Sequence, residues 1–392
     1  MTRRLYYDDC YLTEFPARVE EASGDGRRIY LDATAFYPAS GGQPFDIGTI
    51  EGAPVVEVVD EGDRIAHLTA APVTALEVAC RVDWARRFDH MQQHSGQHLL
   101  SAVLEEFYQI PTVSFHLGGD YSTIDVLVAG FDRTQVADLE RRANEVIFEN
   151  RSILTGYRAS TDCADLRKPP DRPGIIRVVN IEGLDHSACG GTHVRSTGEI
   201  GLIMIRKLEK ARNTLRVEFL CGMRAVRRAR ADFEALSQTA RIFSSSLDEA
   251  PALVAEQVER LQEAEKHRRK LAVALAELRG RELYQLAEPD AAGLRRHVLR
   301  LRSGAVDEEI RAEAQGFVAA PRSMFVAVVE ETGAVLLAVS ADSGLHSGNT
   351  LRSLVAAHGG RGGGKAQVAQ GSLPTAETLE AVVAALLGAP SA

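Results

Sequence analysis

Between Val254 and Leu286 the chain runs for more than thirty residues with no proline and a single glycine. The spacing predicts one helix about 50 Å long at 1.5 Å per residue, longer than a small domain is wide. Val254, Val258, Leu261, Leu271, Leu275 and Leu278 form a partial heptad stripe, but Glu265 and Arg268 interrupt it. A broken seam describes a helical arm or hairpin rather than a strict coiled coil. With 392 residues the chain is also too long for one ordinary core, so about two to three domains are expected around this arm.

Before the arm, the first eighty or so residues read as short strands, with turns at 24–26, 51–52 and 61–62. Short strands punctuated by Gly and Asp at this spacing favour a small antiparallel barrel. From Asp83 the period changes, and WARRFDHMQQHSGQHLLSAVLEEFY is helical by its spacing of Met91, His94, His98, Leu99 and Val103. Strand-like TIDVLVAG, a helix over 134–150 and the strand-like IIRVVNIEG, IGLIMIRK and LRVEFLCG follow. After the arm come strands HVLRLR, MFVAVVEE and AVLLAVSA, and helices near 347–358 and 376–387. The expected class is α+β multidomain. An N-terminal antiparallel β-barrel spans 1–84, an α/β domain 85–223, the helical arm 224–288, and a C-terminal α/β domain with a glycine-rich loop 289–392. No internal repeat is present.

Composition narrows the setting. Hydrophobic content of 45% and charged content of 25% are those of a globular chain, and the apolar windows are too short and interrupted for a membrane span. The N-terminal stretch lacks the apolar core of a signal peptide. Five cysteines make a poor disulfide framework for this size, so a cytoplasmic location is expected. A net charge of -9 argues against coating nucleic acid by bulk positive charge. Basic clusters at Arg206, Lys207, Lys210 and Arg212, and from Arg224 to Arg230, leave local phosphate contacts open.

Two pairs of residues point to metal chemistry. His94 and His98 are four apart on a predicted helix, so both imidazoles share one face. Cys189 and His193 flank two glycines and a threonine in CGGTH, a compact ligand pair on a turn. Together they make a nitrogen-and-sulfur set suited to zinc. Ser95 stands where a metalloprotease of this spacing carries its glutamate base, which excludes that reading.

HMQQHSGQHLLSAVL followed about ninety residues later by SACGGTHVRSTGEIGLIMIRK resembles the editing domain of alanyl-tRNA synthetases and their freestanding AlaX relatives. LDATAFYPASGGQPFDIGTI is similar to that family's barrel signature, and HGGRGGGKAQVAQG to the glycine-rich motif of its C-terminal, DHH-associated domain. The resemblance implies a long AlaX-type protein whose 85–223 segment is the zinc-bearing editing domain. Met1 leads almost directly into the barrel, so no aminoacylation domain and no ATP chemistry are expected. The implied activity is trans-editing: hydrolysis of serine, or glycine, from mischarged tRNA(Ala). It implies zinc held by His94, His98, Cys189 and His193, Thr34 as the residue that senses the serine hydroxyl, and Gln43 as a polar contact near the ester. Gly359, Gly360, Arg361, Gly362, Gly363, Gly364 and Lys365 would meet tRNA, with backbone N–H groups toward phosphate.

Several points stay open in the sequence. Three zinc ligands would leave a position for water or substrate, whereas four would close the site. No general base stands out, and His90, His186 and Asp185 are candidates only. His116 and Asp125 lie between the ligand pairs and are candidate pocket residues. A tRNA-binding module with a structural zinc is the alternative to an enzyme, and the arm leaves a homodimer open. A DHH-type phosphoesterase lacks its Asp-His-His module here.

Overall fold

The computed structural model describes residues 1–163, 165–167 and 173–388. They form two compact units, the first ending at Thr239 and the second beginning at Ala240.

The first unit opens with β1 (Arg3–Arg4) and the one-turn α1 (Leu5–Asp8). There follow β2 (Glu14–Ala22), β3 (Arg28–Leu31), β4 (Ala33–Thr34), β5 (Gly48–Ile50), β6 (Ala53–Asp60), β7 (Ile65–Thr69) and β8 (Glu77–Val82). A closed antiparallel barrel runs β2-β3-β7-β6-β5-β8, and β1 pairs in parallel with β4 beside it. Alternation builds the closure. Phe15, Ala17 and Val19 on β2, and Val78, Cys80 and Val82 on β8, point inward while their neighbours face solvent. The turns expected at 24–26, 51–52 and 61–62 join β2 to β3, β5 to β6 and β6 to β7.

Next comes α2 (Trp84–Tyr108), whose N-terminus is capped by the Asp83 carboxylate accepting the Arg86 N–H at 2.9 Å. Every residue from His90 to Leu104 is buried, polar ones included. Gly96 is required there because a Cβ would fall 2.3 Å from Sγ of Cys221. The remaining elements are β9 (Thr112–Leu117), β10 (Ser122–Val126), α3 (Arg133–Phe148), β11 (Ile153–Ala159), β12 (Ile175–Ile181), β13 (Asp185–Ala188), β14 (Ile203–Ala211), β15 (Thr214–Cys221) and α4 (Gly222–Ile242). They give an antiparallel sheet β14-β15-β10-β9 and a smaller one, β11-β12-β13. Leu99, Val103, Ile124, Val217 and Phe219 are among the side chains of the core that α2 shares with the larger sheet.

The second unit starts with α5 (Ala250–Leu286), 37 residues and so about 55 Å long. It continues through β16 (Arg295–Leu301), α6 (Glu308–Val318), β17 (Ser323–Val329), β18 (Ala334–Val339), α7 (Ser347–Ala357), β19 (Arg361–Gly364), β20 (Val368–Ser372) and α8 (Ala376–Leu387). The sheet order is β16-β17-β18-β20-β19, with only β16 and β17 parallel. The glycine that interrupts the arm has a packing reason: Cβ atoms on Gly280 and on Gly316 of α6 would each sit 2.0 Å from a carbonyl oxygen of the other helix. The partial heptad stripe stays outside, with Leu261 and Leu271 about two-thirds exposed.

One expectation is corrected here. The glycine run is not a loop: residues 361–364 are strand β19, paired with β20 from Arg361 opposite Ser372 to Gly364 opposite Ala369. A Cβ on Gly362 would come within 2.8 Å of Gly371 Cα, and one on Gly364 within 2.4 Å of Ala369 Cα. The glycines serve close strand approach, which composition alone cannot distinguish from a mobile loop.

Candidate metal centre

The two ligand pairs meet. His94 and His98 project from one face of α2, and the turn after β13 brings Cys189 and His193 against them. One nitrogen or sulfur atom from each residue lies within 4.8 Å of all the others. Sγ of Cys189 is 3.3 Å from Nε2 of His94 and 3.3 Å from Nε2 of His193. A tetrahedral zinc with bonds of about 2.0–2.3 Å needs ligand atoms roughly 3.3–3.8 Å apart.

Each imidazole is held by its other nitrogen. Nδ1 of His94 donates to Oε1 of Gln43 at 2.8 Å, and Nδ1 of His98 to Oδ2 of Asp185 at 3.0 Å. Nδ1 of His193 lies 3.2 Å from Oγ of Ser95, which also accepts the Val194 N–H. Nε2 of His94 and of His193 thereby face the sulfur, and the acceptors Oε1 of Gln43 and Oδ2 of Asp185 keep a proton on Nδ1 of His94 and His98, so that Nε2 is the nitrogen left for a metal. Burial would raise the Cys189 thiol, but His94, His193 and His98 around it pull it well below its usual value. Burial opposes charge on His98 as well, yet Cys189 and Asp185 raise it to about 9. That proton sits where a divalent cation would replace it, since metal binding displaces protons from such ligands. The residues fit zinc.

The CGGTH turn is clamped from behind. Nη1 of Arg177 donates to the carbonyls of Cys189 and Gly191, both at 2.9 Å, and its guanidinium lies over the Tyr7 ring. Gly191 has no room for a side chain, because a Cβ would lie 2.1 Å from Cε1 of His94. Asp46 and Arg87 pair in full burial and join the segment after the GGQ turn to α2.

The other sequence candidates are placed as follows. Gln43 reaches the cluster through His94. Thr34 is fully buried, with Oγ1 2.8 Å from Nε2 of His67 and accepting the Phe36 N–H at 3.1 Å. Asp185 is committed to His98 and Arg167, and His186 to the exposed Asp165. Burial lowers His90 to about 3, well under the range of a base working near neutrality. Asp125 binds Arg216 and Ser114, and His116 is exposed on the neighbouring strand. Much of the basic charge is internally paired: Arg206 and Arg228 share Asp232, and Arg224 binds Asp89. Around β19, the N–H groups of Gly360 and Lys365 are already bonded, to Val355 and Val368. Thr192 and Arg177 are not marked by anything in the sequence spacing, and Ser95 only as the residue standing in place of a metalloprotease glutamate. Among the described residues no helix is long and apolar enough to cross a membrane.

Comparison with known proteins adds to the geometry. The family described as "Threonyl and Alanyl tRNA synthetase second additional domain" matches residues 176–218, the stretch that holds Cys189 and His193. The DHHA1 domain matches residues 317–389. The alanyl-tRNA editing protein AlaX-L of Pyrococcus horikoshii is 33% identical over 73% of this chain and 72% of its own length. The chain belongs to the alanyl-tRNA editing protein family. Alanyl-tRNA editing protein Aarsd1-B of Xenopus laevis is 34% identical over 66% of this chain and 67% of its own. The alanine–tRNA ligase of Pyrococcus abyssi is 31% identical over 97% of this chain, which spans only 43% of that ligase. As a member of the editing family, the chain carries both the tRNA_SAD segment and the DHHA1 segment expected from its motifs.

Proposed function

We propose that this chain is a trans-editing deacylase: it hydrolyses the ester that joins a wrongly attached amino acid, serine or also glycine, to tRNA(Ala), with zinc as cofactor. The observation that carries the reading is the His94, His98, Cys189 and His193 cluster in a chain of the alanyl-tRNA editing family. Zinc bound there would act on the ester carbonyl or a water as a Lewis acid if a position stays open, and would anchor the pocket if all four ligands engage.

The protein's own residues do the rest. Gln43 and Asp185 keep Nδ1 of His94 and His98 protonated, Ser95 orients His193, and Arg177 fixes the turn carrying Cys189. Thr34 is the proposed sensor of the serine hydroxyl. Its oxygen bonds His67 and the Phe36 N–H, leaving capacity for one more hydrogen bond. A polar site left unpaired by alanine discriminates far more strongly than a small apolar pocket that must reject serine. Arg361 and Lys365, exposed at the two ends of β19, are the proposed phosphate contacts.

The test is deacylation of Ser-tRNA(Ala), Gly-tRNA(Ala) and Ala-tRNA(Ala) with and without a zinc chelator. Rapid release of serine, alanine spared, and loss on chelation support the reading, as does inactivity of a folded His94→Ala, Cys189→Ala variant. A second reading has an observation of its own: four protein ligands are the count of a structural zinc. Zinc-loaded, folded protein that binds tRNA(Ala) and hydrolyses none of the three would favour that non-catalytic tRNA-binding module.

A further inference from the structure

We infer that Gln43 is a positioning residue of the metal centre, a strap between the barrel and the ligand turn, and not a group that meets the substrate. The inference rests on the metal-binding reading of the cluster and is independent of which ester is cleaved.

Three observations converge. Gln43 is 2% exposed and is held between His94 and the Thr192 backbone. Its oxygen accepts Nδ1–H of His94 at 2.8 Å and the Thr192 N–H at 3.2 Å, which uses both lone pairs. Its nitrogen donates to Oγ1 of Thr192 at 2.8 Å. The Thr192 N–H also fixes which end of the amide faces His94, because only the oxygen can receive it.

The strap links parts of the chain that are far apart in sequence. Gln43 lies in the connection between β4 and β5, His94 on α2, and Thr192 between the ligands Cys189 and His193. The turn that carries Gln43 is itself anchored: the Gly42 carbonyl accepts the Leu117 N–H at 3.1 Å, and Gly42 has φ +84° with Phe115 against it. Gly191 completes the contact, since a Cβ there would also press 3.1 Å from Oε1 of Gln43. A metal ion on His94 and Cys189 would therefore be felt at residues 40–46, and a change at Gln43 would be felt at the ion. Partners of this kind on a ligating histidine are worth about 10–100-fold in metal affinity.

The experiment measures metal binding on the whole chain without RNA, by zinc competition with a chromophoric chelator and by the visible spectrum of the cobalt-substituted protein. Gln43→Leu is expected to weaken zinc about 10–100-fold and shift the cobalt bands. Gln43→Glu keeps an acceptor for His94, and Thr192 can turn its hydroxyl to donate, so affinity should return to within a few-fold of the parent. Zinc affinity and cobalt spectrum unchanged in Gln43→Leu would overturn the inference. Equal loss in both variants would also overturn it. If Gln43→Leu does not fold, Thr192→Val carries the test: weaker zinc binding supports the strap and unaltered binding refutes it. Because no hydrolysis is read, failure here is separate from failure of the editing assay.

Discussion

Oδ2 of Asp185 stands 3.0 Å from Nδ1 of His98, while Oδ1 of the same carboxylate receives Nε of Arg167 at 2.7 Å. Burial would raise this acid, but His98 and Arg167 hold it at about 2, so it stays ionised and cannot serve as a shuttle for protons near neutrality. Its work is to orient His98. Asp185→Ala is expected to lower zinc affinity about 10–100-fold, and Asp185→Asn, which keeps an acceptor, less. Competition titration of the two variants checks the order, and equal affinities would count against an orienting role.

The Arg87 and Asp46 side chains are 0% and 1% exposed and pair directly, with Asp46 also accepting the Tyr37 N–H at 2.7 Å. Removing one partner strands a buried charge. Asp46→Ala should cost about 3–5 kcal/mol of stability. Trp84, the only tryptophan, sits at the start of α2 in the same unit, so its fluorescence during urea unfolding reads the loss.

His67 gives a pH dependence away from the metal ligands. Burial lowers it from 6.5 to about 4, so between those values the unfolded chain binds a proton that the folded chain does not. Stability from this group is full above pH 6.5 and is lost as pH falls toward 4, by about 2 kcal/mol at pH 5. The Trp84 unfolding transition should therefore shift less between pH 7.5 and pH 5 in His67→Gln than in the parent. Identical shifts would show that His67 does not titrate in this way.

At β19 packing and binding can be separated. Gly362→Ala, set against Gly371, should destabilise the second unit by about 1–3 kcal/mol through overpacking. The double change Arg361→Ala, Lys365→Ala touches exposed side chains and should leave stability within about 0.5 kcal/mol. If both meet phosphate, tRNA binding should weaken and the salt dependence of log K should lose a slope of about 1–2. Hydrogen exchange over 361–372 and a salt series of tRNA titrations read the two effects separately.

What the sequence made legible follows from range. The barrel's turns and the helices α3, α7 and α8 declare themselves through turn residues and helical period, and the bounds of those helices lie within a few residues of expectation. The candidate ligands His94, His98, Cys189 and His193 are legible by chemical identity, since few side chains bind zinc, and the structure brings them together. The partner role of the residues that hold those histidines is not legible: Gln43 and Asp185 carry other expectations in the sequence, and Ser95 none. Gln43 and His94 are 51 apart in sequence, Asp185 and His98 87 apart, Ser95 and His193 98 apart, and no local pattern encodes such pairs. β9 is not legible because it is largely exposed and lacks the alternation of a half-buried strand. The glycine run is ambiguous in sequence because glycine marks a tight strand pair and a loose loop alike.

The enclosed polar stretch of α2 has a consequence for how the chain reaches its native state. Gln43, Asp185, Glu199 and Cys221, which satisfy His94, His98, Gln92 and Gln93, lie 51, 87, 107 and 128 residues away from them. Loop closure over such spans costs entropy before any contact repays it, and non-local contacts slow folding. The helix can form early from its own spacing, yet it cannot shed water until the last of those segments, near Cys221, has been made and has docked. During synthesis, then, the buried polar side chains of α2 cannot all find their partners before β15 has been made.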